Sequence, residues 1–180
     1  MILGYKGFKP GLIATLGDGN YQYQPGEVSR TDKAKCASTG FHYCLDPLDC
    51  LNWYPWDGQN EIWAIAAGGD IDEDDCGTRS SCTEIIPLRR LNEDELLFMH
   101  ANYVFDHPAE DFKDVYQMPF RVAYGKEKRL SGRMGDWLCF IIRNPKEKIC
   151  IAYPVDGVKV LSGKELSLIH ISEPTRQEAI

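Results

Sequence analysis

Residues 41–44 read Phe-His-Tyr-Cys, and on a strand His42 and Cys44 share a face as neighbours two residues apart. A thiol beside an imidazole is the raw material of a Cys/His nucleophile. No third orienting residue and no oxyanion signature accompanies the pair, so the expectation is a packed, hydrogen-bonded histidine and no catalysis. Cys36, His42, Cys44, Cys50, Cys76 and Cys82 carry zinc-type donor atoms. Their spacing contains no C-x2-C knuckle, which predicts no structural metal. Asp70, Asp72, Glu73, Asp74 and Asp75 crowd five acids into six residues. The run lacks the ligand pattern of a calcium loop, and it is expected to be a solvated acidic loop. Such a loop can also dock on a cationic groove in the manner of a nucleic-acid mimic, because those grooves accept dense negative charge.

The elements that must position these residues can be read from turn and periodicity signals. Ile2 to Phe8 alternates as an opening strand, broken at Lys9-Pro10-Gly11. Asn20 to Gln24 reads as a half-buried strand, and Gly40 to Cys44 as another. Asp46 is an N-cap with Pro47 at the first helical position, opening a short helix that Pro55 ends. Glu61 to Ala67 is strand-like, Gly68-Gly69 releases it into the acidic run, and Thr83 to Leu88 returns to β character. Asn92 with Glu95 forms a capping box for a helix of roughly ten residues. Phe120 to Tyr124, Trp137 to Ile142, Ile149 to Tyr153 and Val158 to Leu161 read as strands, the last three separated by turns and forming an antiparallel meander. The fold class is α+β, strand-rich, with two short helices. Residues 1–165 read as one domain, with 118–162 as its β-rich C-terminal part.

Composition bounds the function classes. Hydrophobic residues make up 43% and charged residues 26% of 180, which is a globular balance. No apolar run approaches the roughly 18 residues needed to span a bilayer, so no membrane association and a cytoplasmic location are expected. Seven cysteines form an odd set without close pairs and are read as reduced. The net charge of -7 disfavours direct binding to nucleic acid and favours a basic protein partner.

Gly4-Tyr5-Lys6-Gly7-Phe8, the Tyr21 to Gly26 segment, Gly40-Phe41-His42-Tyr43-Cys44-Leu45-Asp46-Pro47-Leu48-Asp49 and Trp53-Tyr54-Pro55 together resemble an uncharacterised family of bacteriophage and prophage proteins. Its recurrent core is Gly-Phe-His-Phe-Cys followed by a Pro-Leu-Asp helix. Gly69-Asp70-Ile71 and Ser81-Cys82-Thr83 also look like family features, and the likeness spans roughly residues 1–90. It implies a phage or mobile-element gene acting inside a bacterium, and no particular activity. Tyr5, His42, Ser81, Thr83 and Glu84 distantly resemble the NAD-gripping layout of ADP-ribosyltransferases. Glu84 departs from that layout by following the Ser/Thr segment directly. Leu166 to Arg176 resembles the in-frame translation of a transposase sequencing adapter, which sets residues 166–180, His170 among them, apart from functional reasoning. The leading expectation is a non-catalytic accessory protein without a cofactor. It would bind a host protein, with an anti-CRISPR-type inhibitor in a nuclease's basic groove as the concrete case. An NAD-using transferase and a structural or virion-associated protein are the alternatives.

Overall fold

In a computed structural model of the chain, residues 1–17, 19–74 and 77–168 are described. Packing divides the chain into two compact units, Met1–Tyr103 and Val104–Ile180. The architecture is strand-rich α+β with two helices, as the turn and periodicity signals predict.

The first unit opens with β1 (Ile2–Phe8), followed by β2 (Ile13–Ala14) and β3 (Tyr21–Gln22), which pair as a small hairpin. β4 (Ser29–Arg30) and β5 (Phe41–Tyr43) are short, whereas β6 (Glu61–Glu73) and β7 (Ser80–Arg90) form the long central hairpin. β1 pairs with β6, β6 with β7, and β7 with both β4 and β5, all antiparallel. Just past β5, Cys44 returns to β1: its N–H donates to the Tyr5 carbonyl and the Tyr5 N–H donates to its carbonyl, each at 2.8 Å. β1, β6, β7 and β5 thus form a closed circuit, and closure satisfies backbone groups that an open edge would expose. Its core contains Phe8, Tyr23, Phe41, Ile65, Ala67, Cys82 and Ile85. Each large apolar side chain buried there stabilises the fold by about 1.5–3 kcal/mol.

The acidic run departs from the expected loop. Gly68-Gly69 does not release the strand; it makes an irregularity in the β6–β7 register, after which Ile71 pairs with Cys82. Gly69 takes φ +70°, and the following Asp70 N–H donates to the Thr83 hydroxyl at 2.9 Å. Asp70, Asp72 and Glu73 therefore lie on β6, Asp74 follows it, and Asp75 lies outside the described residues.

Between β5 and β6, the Pro47–Asn52 segment is a 3-10 helix capped by Asp46, whose carboxylate accepts from the Leu48 N–H at 3.0 Å. α1 (Glu93–Asp106) begins at the predicted capping box: the Glu95 N–H donates to Asn92 Oδ1 at 2.9 Å, and the Asn92 N–H to Glu95 Oε2 at 3.1 Å. Asp46 does a second task within this unit. Both of its oxygens lie 2.8 Å from Nδ1 of buried His100 on α1.

In the second unit, β8 (Val115–Gln117), β9 (Phe120–Tyr124), β11 (Trp137–Asn144) and β12 (Glu147–Pro154) form one sheet in the order β12-β11-β9-β8. Between β9 and β11, β10 (Arg129–Leu130) pairs with β13 (Leu166–Ser167). The β11–β12 hairpin turns at Asn144, whose side chain accepts from the Lys146 and Glu147 N–H groups. β9, by contrast, runs parallel to β11. Val158 to Leu161 forms no strand, because Asp156 Oδ1 gathers the N–H groups of Val158, Lys159 and Val160 and turns the chain instead. Leu166 and Leu168, at the start of the adapter-like string, pack against a core of Leu130, Leu138, Phe140, Val155 and Val160. The remainder of that string, His170 included, lies outside the described residues.

Candidate functional site

Both faces of β1 are covered from Gly4 to Phe8, which is unusual for a strand carrying a lysine. Two glycines make that possible. A Cβ on Gly4 would stand 2.5 Å from the Tyr43 ring, and one on Gly7 would stand 2.5 Å from Cβ and Cγ of Tyr54. The aromatic rings therefore lie directly on the β1 backbone, and Tyr5 and Lys6 are held between them.

Around these residues the first unit encloses a cavity of about 500 Å³. Tyr5, Tyr21, Tyr23, Phe41, Trp53 and Tyr54 give it aromatic walls. The rings brace one another edge to face, with centroids 4.6 Å apart for Tyr21 and Tyr23 and 5.5 Å apart for Tyr21 and Phe41. Three basic side chains also line it: Lys6, His42 and Arg79.

Lys6 is buried, and its ammonium donates to the His42 carbonyl at 2.6 Å. It sits 5.8 Å from the ring centroids of both Phe8 and Tyr23. Among the described residues no carboxylate oxygen comes within ion-pair distance of it. Burial pushes the Lys6 ammonium below the usual lysine range. His42, on β5, has a buried Nε2 with no hydrogen-bond partner. Burial, and then the cations Lys6 and Arg79, push its imidazole below the ordinary 6.5, so it is neutral at pH 7. Arg79 lays its guanidinium 5.4 Å from the Trp53 ring centroid, and its Nε lies 3.3 Å from Asp74 without hydrogen-bond alignment. Burial, reinforced by the Asp46 charge, pushes the Tyr5 phenol up to about 12, so it remains a neutral hydroxyl.

The expected hydrogen-bonded histidine is therefore packed but left with an orphaned ring nitrogen. Tyr5 and His42 both line the cavity; Ser81 is the cross-strand partner of His42 but does not line it, and neither do Thr83 and Glu84. Ser81 is buried and donates to the Thr39 carbonyl at 2.6 Å, Thr83 accepts from Asp70, and Glu84 pairs with Arg30 at 3.0 Å. Of the acids, Asp70 and Glu73 are exposed. Asp72 accepts from the Cys36 N–H at 2.7 Å and pairs with Lys35, while Asp74 accepts from Thr78 and pairs with Arg79. The six described cysteines are free thiols. Among the described residues no group of three or more His, Cys, Asp or Glu is placed to hold a metal ion. Lys6, Trp53, Tyr54 and Arg79 were not singled out by sequence reasoning. The available signal was a lysine inside an apolar strand with a glycine two residues before it and another immediately after.

A family described as a domain of unknown function (DUF7666) matches residues 2–99. The chain belongs to this family. Every residue lining the cavity falls within the matched stretch, so the site is made wholly from the family's part of the chain. No curated protein and no solved structure matches the chain. No helix among the described residues is long and apolar enough to cross a membrane.

Proposed function

We propose that the chain is a phage or mobile-element accessory protein of the bacterial cytoplasm that acts by binding, and that the family's part of the chain captures a small planar ligand in its aromatic cavity. The observation that carries this reading is the buried Nε2 of His42, a polar atom without a partner in a cavity walled largely by aromatic rings. A buried ring nitrogen costs free energy until something bonds to it, on the order of 1–3 kcal/mol. The volume is that of a small-molecule pocket, and aromatic walls with a few converging polar groups are what such pockets use. Tyr and Trp faces favour a flat ring, and Arg79, although its Nε lies 3.3 Å from Asp74, has further guanidinium N–H donors that suit an anionic substituent on it.

Docking of a host nuclease through the acids at the end of β6 has less support. Asp72 and Asp74 already spend their charge on Lys35, the Cys36 N–H, Thr78 and Arg79, which leaves Asp70 and Glu73 exposed.

The test is a thermal-shift titration with flat anionic probes: adenosine monophosphate, flavin mononucleotide and pyridoxine 5′-phosphate. At a hundred times the dissociation constant a bound probe stabilises the fold by about 2.7 kcal/mol, and the melting temperature rises accordingly. Trp53→Ala is expected to abolish the rise. A flat response to all three at millimolar concentration overturns the reading.

A further inference from the structure

We propose that Lys6 is a covalent capture site, its amine condensing with the carbonyl group of an aldehyde ligand held in the aromatic cavity. The inference rests on the cavity being a ligand site and names the class of ligand it takes. Its ground is the surroundings of one nitrogen. Lys6 lines the cavity, is buried, has no carboxylate within ion-pair distance among the described residues, and donates to a neutral backbone carbonyl at 2.6 Å. The rings of Phe8 and Tyr23 flank it. An ammonium ion in such a place lacks both water and a counter-charge, so burial shifts the balance towards the free amine, in agreement with the downward displacement of its titration. A desolvated lysine in an apolar pocket is the form in which this side chain attacks carbonyl carbon.

The condensation balances without any further reagent. The amine lone pair forms the new C–N bond, the carbonyl oxygen departs as water carrying both amine hydrogens, and an imine remains. No oxidant or reductant is consumed, and water reverses the step. Arg79, a lining cation whose Nε already faces Asp74, has further guanidinium N–H donors that suit carbonyl ligands carrying an anionic group.

The experiment uses the full chain with pyridoxal 5′-phosphate as the aldehyde probe and pyridoxine 5′-phosphate as its alcohol counterpart. After brief exposure the imine is trapped with borohydride and the labelled lysine is located by peptide mass mapping. The expected result is one probe per chain, with Lys6 labelled at least tenfold faster than the exposed Lys33, Lys35 and Lys146, and with the alcohol counterpart slowing that labelling. Lys6→Arg retains a hydrogen-bond donor but cannot form an imine, and it is expected to lose only the fast label. Labelling spread over the exposed lysines with Lys6 spared overturns the inference. If the alcohol counterpart binds while Lys6 stays unlabelled, the cavity reading stands and the covalent one falls. If neither probe binds, both fall.

Discussion

At the scale of single residues, the cavity turns position into protonation state. His42 has an ordinary value of 6.5, lowered in the folded chain by burial first and by Lys6 and Arg79 next. Between the lowered value and 6.5 the unfolded chain holds more protons than the folded one. Stability therefore rises with pH through that window and is lost as pH falls below 6.5. His42→Gln removes the difference, so the variant is expected to lose less stability than the parent as pH drops from about 7 to about 5. Denaturant melts across that range check it, and parallel losses in the two proteins would show that His42 does not titrate as argued. The aspartates with depressed values, Asp57, Asp72, Asp74 and Asp156, act lower: their contribution is present above the ordinary 3.8 and fades as pH falls beneath it. The two effects occupy separate windows.

At the scale of elements, Asp46 joins two helices that the sequence describes separately. Its carboxylate caps the 3-10 helix and also holds His100 in the middle of α1. Asp46→Ala removes the cap, worth about 1 kcal/mol, and breaks the bond to buried His100, a further 1–3 kcal/mol. The expected loss is roughly 2–4 kcal/mol in a chemical melt. Asp46→Asn retains a cap and is expected to lose less. Equal losses would assign the whole effect to His100. The same residue shows where legibility stops. The Asp46-Pro47 start, the Asn92/Glu95 box and the Asn144 turn are all contacts between residues two or three apart, so local chemistry announces them. The Asp46–His100 bond spans 54 residues, and no local pattern encodes it.

At the scale of the molecule, what escaped the sequence is what long separation builds. The cavity draws on residues from Tyr5 to Arg79, so its members share no window of sequence. Lys6 reads as solvent-facing until the rings over Gly4 and Gly7 cover its strand. Gly68-Gly69 has the chemistry of a strand exit, yet the pairing with β7 resumes at Ile71 because Cys82 waits opposite. The parallel partnership of β9 and β11 likewise has no turn to reveal it. In the second unit, Leu166 and Ser167 form β13, and Leu166 and Leu168 pack on the core whatever their genetic source. Leu166→Ser together with Leu168→Ser is expected to cost about 2–4 kcal/mol, on the scale of trimming two partly buried leucines. Circular dichroism melts decide it. A change below about 0.5 kcal/mol, ordinary for a surface position, would return these residues to the tail.

The closed circuit of the first unit also sets a schedule for synthesis. β1 finds one neighbour in β6, and its other, Cys44, is held in place by a strand that hangs on Ser80 to Cys82 of β7. At roughly 5–20 residues per second, the interval between making Tyr5 and making Cys82 is on the order of ten seconds. Phe8, destined for the core, waits nearly all of that time for β7, and Tyr23 and Phe41 wait for shorter parts of it. Tyr23 and Phe41, which wall the finished cavity, are therefore also apolar surface that the young chain carries until β7 is made.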